Sequence, residues 1–210
     1  MSQVFEAVAE KVIEKKSRNK DKPQAPKKPA AENLKLGRTV LIAAIIVALI
    51  VIGPMKLSGK RASTMKVFKN GTEKEYTVSV YNDIMECANS SATLAGIAEA
   101  AKGVDKDDVK ELSKLSKELL KEEDEDDMLE LFTELVELGN RVYSQYESKN
   151  TVSKDAEKAI RNINNARNTV QNDAYWQYAD KFNSTRNAFP ARILAWLTGI
   201  DEVPDKINGR

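Results

Sequence analysis

The chain has 210 residues, room for one domain with appendages but not for two ordinary enzyme domains. Its 33 Lys+Arg nearly balance 32 Asp+Glu, and a net charge of +1 gives no reason to expect a nucleic-acid partner. The absence of histidine and the single cysteine, Cys87, exclude Ser-His-Asp and Cys-His catalysis, imidazole zinc sites, an intramolecular disulfide and any multi-cysteine metal site.

Residues 1–16 open the chain with Val4, Phe5, Val8, Val12 and Ile13 at three- and four-residue spacing, and with glutamates and lysines elsewhere. That pattern is a short amphipathic helix, able to lie on an inner leaflet or dock on a partner, or to form only partly in water. Residues 17–38 hold three prolines and many lysines, and too little apolar surface to order themselves. They are expected to be a disordered basic linker attracted to anionic lipid.

Residues 39–55, from Thr39 to Met55, contain no charge and are dominated by β-branched aliphatics. As a helix at ~1.5 Å per residue the run is about 26 Å long, close to the ~30 Å hydrocarbon core of a bilayer. Arg38 and Lys56 bracket it, so a retained membrane anchor is expected. The run begins too far along the chain, and ends too unlike a cleavage site, for a signal peptide. Residues 1–38 carry ten Lys/Arg and five Asp/Glu; the 23 Lys/Arg and 27 Asp/Glu that remain lie beyond the anchor. The wider asymmetry favours a cytoplasmic N-terminus with the following domain outside, although the basic residues nearest the membrane are tied, five on each side.

In the juxtamembrane segment, residues 56–81, Met65–Phe68 and Tyr76–Tyr81 alternate around Asn70-Gly71, which reads as a short hairpin. The rival is a helix running on from the membrane, against which Pro54, Gly59 and Gly71 argue. Residues 82–206 read as helices. The first is capped by Asn82 or Asp83 and carries Cys87 among small residues, either as an inert buried thiol or as one activated by a helix N-terminus. A second has Val109, Leu112, Leu115 and Leu119 in register. Glu122–Asp127 is an acidic turn without the ligand alternation of an EF-hand, and it leads into a helix with Met128, Leu131, Phe132, Leu135, Leu138 and Val142. A last long stripe runs from Ala156 to Phe182. Short connections between such helices predict an all-α antiparallel bundle behind a single transmembrane helix.

The C-terminal part, about residues 156–206, resembles the LemA family of bacterial membrane proteins. The residues that carry the likeness are Phe182-Asn183, Phe189-Pro190 after five intervening residues, the run Leu194-Ala195-Trp196-Leu197 closing on Gly199, and Pro204. The stretch from Asn89 to Gly103 differs, lacking the arginines and the proline usual in the family's first long helix. The resemblance implies a helical bundle tethered to the bacterial envelope and implies no reaction. On this reading Phe189-Pro190 turns the chain out of the long helix and Trp196 and Leu197 cover the end of the bundle.

Three functions compete. The favoured one is a non-enzymatic membrane scaffold whose partners are the lipid bilayer and another envelope protein, with no cofactor and no catalytic residue. A membrane-tethered Ser-Lys hydrolase would draw on Ser58 or Ser63 with Lys56, Lys60 or Lys66, but needs a buried lysine. A lipid-binding bundle is the third.

Overall fold

The computed structural model describes residues 30–72 and 79–205, with side chains from residue 36 onward. The amphipathic helix expected over 1–16, the linker before Ala30 and residues 73–78 of the expected hairpin lie outside the described residues. Seven helices and no strand are present among them: α1 Ala30–Asn70, α2 Val80–Glu99, α3 Lys106–Leu119, α4 Glu125–Lys149, α5 Lys154–Asn172, α6 Tyr175–Asn187 and α7 Ala191–Thr198. Contacts divide the chain into two compact units, Met1–Ala48 and Leu49–Arg210.

In the first unit the described part is helical from Ala30, so the residues just before Arg38 are not linker but helix. Val40, Leu41, Ile42, Ile45, Ile46 and Val47 are all exposed. A helix with apolar side chains on every side and nothing covering them suits hydrocarbon rather than water. α1 is long and apolar enough to cross a membrane.

The expected hairpin is overturned at Met65–Phe68, which lie inside α1. Four alternating residues cannot separate a period of 2 from one of 3.6. The buried positions Leu57, Thr64, Met65 and Phe68 recur at helical spacing. Pro54 removes one hydrogen bond from the ladder without ending the helix, and Gly59 is simply carried within it. Gly71 supplies the stop: with φ 72° it takes the left-handed conformation, and its N–H donates to the Val67 carbonyl at 2.8 Å. Across residues 73–78 the two helix ends share one hydroxyl. Ser79 Oγ donates to the Lys69 carbonyl at 2.8 Å and accepts from the Asn82 amide at 3.2 Å. Ser79, not Asn82 or Asp83, is therefore the cap of α2.

Helices α2–α5 form an antiparallel bundle in which α2 packs against the other three. Ile84, Leu94, Leu112, Leu119, Phe132, Leu135, Val142 and Ile163 are fully or almost fully buried at its centre. Asp105, Asp124 and Ser153 cap α3, α4 and α5 through their side chains. The acidic run is thus a short turn followed by the first turn of α4, where its carboxylates face the positive end of the helix dipole. Arg141 grips Asp108 with two hydrogen bonds of 2.9 and 3.0 Å, which tie α4 to α3. Asn140 and Asn164 exchange amide hydrogen bonds at 3.2 Å between α4 and α5.

The long stripe from Ala156 to Phe182 is two helices rather than one. α5 ends at Asn172, and Asp173 has an extended ψ of 144°. Its carboxylate then accepts from the Tyr175 amide at 2.7 Å. The break swings Tyr175 into the core, where its ring meets Phe68 edge-on at 5.1 Å. A continuous helix would keep Tyr178 on the buried stripe; it is instead exposed.

Candidate functional site

The residues of the C-terminal motif separate into two groups. Phe182, Asn183, Ala195 and Pro204 are buried. Asn183 reads the backbone of the last described segment in both directions. Its amide Nδ2 donates to the Val203 carbonyl at 2.8 Å, and its Oδ1 accepts from the Val203 amide at 3.0 Å. One side chain thereby replaces a strand partner for an otherwise unpaired, buried backbone. Tyr175 Oη donates to the Pro204 carbonyl at 2.7 Å, and burial pushes that phenol above its ordinary range. Arg186 Nε binds the Ile200 carbonyl at 3.1 Å, and Arg61 Nε binds that of Asp201 at 3.3 Å. The returning chain is thus tied to both α6 and α1. Gly199 closes α7 at φ 62°, and Pro190 stands at its N-terminal cap.

The second group faces outward. Phe189 is 84% exposed, Trp196 78%, Leu197 61% and Ile193 50%. This corrects the expectation that Trp196 and Leu197 cover the end of the bundle. Helix α7 turns Ala195 inward and presents Ile193, Trp196 and Leu197, spaced i, i+3 and i+4, as one outward face. Leu194 sits against α1, so close over Gly53 that a methyl group there would lie 2.6 Å from Leu194 Cδ1. Sequence reasoning missed Gly53, Arg61 and Arg186. The glycine was visible only as an interruption in an apolar run, and nothing local tells an arginine which distant carbonyl it will bind.

A separate groove of about 850 Å³ lies between α2 and α3. Ala92, Ala95 and Gly96 form its floor, and Lys110, Lys117 and Lys121 stand among its walls. Lys106 is turned aside to bind the carbonyls that end α2, including that of Ala101 at 3.1 Å. Lys114 is shared between Glu111 and Glu118. The floor is low because α2 carries small residues three and four positions apart there.

Ser58, Ser63, Lys56, Lys60 and Lys66 lie on α1 and are exposed. The flexible stretch expected for them is a helix, and the burial that Ser-Lys chemistry requires is absent at these positions. Cys87 is completely buried, and that burial pushes its thiol up to about 12, which makes it an inert core group at neutral pH. No group of three or more His, Cys, Asp or Glu side chains able to hold a metal ion occurs among the described residues.

Compared with known proteins, the chain matches no family model, no curated protein and no solved structure.

Proposed function

We propose that this is a membrane-anchored, non-enzymatic interaction protein of the bacterial envelope, LemA-like in its C-terminal part. Its bundle recognises an acidic helix of another envelope protein. The observation that carries the reading is the groove between α2 and α3. Its small-residue floor admits a close-packed helix, and its walls are rich in lysine. Lys117 and Lys121 make no ion pair among the described residues, which leaves them to complement negative charge on a partner. The uncovered apolar surface of α1 supports the anchoring half of the proposal, and the charge asymmetry supports a cytoplasmic N-terminus with the bundle outside.

The test is site-specific photocrosslinking in intact cells. A photoreactive residue at Ser113, in the groove, gives a discrete adduct, and one at Arg167, exposed on α5, does not. The double variant Lys117→Glu, Lys121→Glu abolishes the adduct. Equal labelling from both positions, or an adduct indifferent to charge reversal, rejects the groove as the docking site. Orientation is read with an impermeant maleimide: Asp124→Cys is labelled on intact cells and Pro26→Cys is not. Buried Cys87 contributes no background.

A further inference from the structure

We infer that α7 is a second membrane contact, an amphipathic foot that lies in the bilayer interface beside the exit of the anchor. The inference rests on the anchoring half of the proposed function and extends it to a part of the chain far from the apolar run.

Position is the first ground. Leu194 touches Gly53, three residues before Lys56, the first charge after the apolar run. At ~1.5 Å per residue that contact lies about 4–5 Å on the apolar side of the first charge. The neighbouring surface of α1, Leu49–Ile52 and Met55, is exposed and apolar. The outward face of α7 therefore continues the surface that hydrocarbon would cover.

Orientation is the second. The chain climbs α1 as it leaves α7: Leu194 is at Gly53, Asp201 at Arg61, and Pro204 at Tyr175, whose ring meets Phe68 edge-on. Those ties hold α7 at the membrane end of the unit, whereas the bundle is tied to α1 farther along, at Lys69, through Ser79 and Glu125.

Chemistry is the third. Phe189, Ile193, Trp196 and Leu197 are all at least half exposed, a large apolar patch for a soluble surface. A tryptophan with a free indole edge, next to aliphatics and beside Arg192, suits the headgroup boundary, where the ring meets the acyl chains and the cation meets phosphate. An eight-residue helix has no stability of its own, and docking between α1 and lipid supplies the missing contacts.

The full chain in vesicles of phosphatidylcholine and phosphatidylglycerol tests this. Trp196 emission is isolated as the difference between the protein and its Trp196→Phe variant, which removes the signal of Trp176. With lipids brominated near the glycerol end of the acyl chains, that emission loses most of its intensity. Bromine near the chain ends removes less, and aqueous iodide removes little. Strong quenching by iodide with none from bromolipid overturns the inference, because the helix then faces water. Protection from both quenchers also overturns it, because protein, such as a second copy of the chain, then covers the patch. Flotation of the same samples after carbonate washing separates the two readings. Protein that floats while Trp196 stays wet leaves the anchor standing and removes the foot, whereas protein that fails to float removes both.

Discussion

The four-helix core and the C-terminal return differ in what they leave outside and in how buried backbone is satisfied. In α2–α5 the apolar side chains are inside and charges such as Arg141 and Lys114 lie outside. In the segment from Tyr175 to Pro204, a phenol and a carboxamide are buried, while a phenylalanine, a tryptophan, a leucine and an isoleucine face out. The difference teaches that a conspicuous hydrophobic residue in a motif need not be the one that holds the fold. Here Tyr175 and Asn183, which satisfy backbone that has no other partner, share the holding with buried Ala179, Phe182 and Val203.

The contrast breaks first at Asn183. Asn183→Ala strands the Val203 amide and carbonyl in a buried place and should cost about 2–4 kcal/mol, seen as a large fall in the urea midpoint. An unmoved midpoint would show that the return is not integral to the unit.

A smaller effect sits at the seam between the two regions. Burial, aided by Asp173 and Glu86, pushes the Asp83 carboxyl up from the usual range to about 6. In the unfolded chain it titrates near ~4, so between these values the folded chain keeps a proton that the unfolded one has lost. Stability therefore falls as pH rises through that window. Asp83→Asn should flatten the slope and add about 1–2 kcal/mol at neutral pH once solvent screening is allowed for. Urea titrations at several pH values check both the sign and the window.

On the outer face of the core, the hydrogen bonds from Arg141 hold Asp108 below the usual carboxylate range. That stabilisation is present at neutral pH and disappears as pH falls through the folded-state value. Asp108→Asn should lower the midpoint slightly at neutral pH and not at all in strong acid. The smallest expected effect belongs to the largest side chain. Trp196→Ala in detergent should change stability by less than ~0.5 kcal/mol, because the side chain meets detergent in the folded and the unfolded chain alike and packs on no protein core. A drop of several kcal/mol would restore it as a lid on the bundle.

Helix existence and the apolar span were legible because their signals repeat over many residues. The stripe in α4 and the uncharged run after Arg38 each have enough turns to define a period. What was not legible depended on tertiary contact. Met65–Phe68 satisfied two periods over four residues, and only the packing of Phe68 on Tyr175 decides between them. The break at Asp173 carries no glycine or proline to mark it. The motif at the end was visible as a pattern, but whether Trp196 points inward depends on where α7 docks, and that is set by the absent side chain of Gly53.

Ser79 has a practical consequence for anyone handling the protein. Because its hydroxyl holds the end of α1 to the start of α2, those two helix ends are tied without the help of residues 73–78. A longer connection between ends already fixed costs only ~0.6 kcal/mol for each doubling of length. An epitope or a small fluorescent domain inserted between residues 73 and 78 should leave both helices seated. A protease cut in the same place should yield two fragments that stay together until denatured.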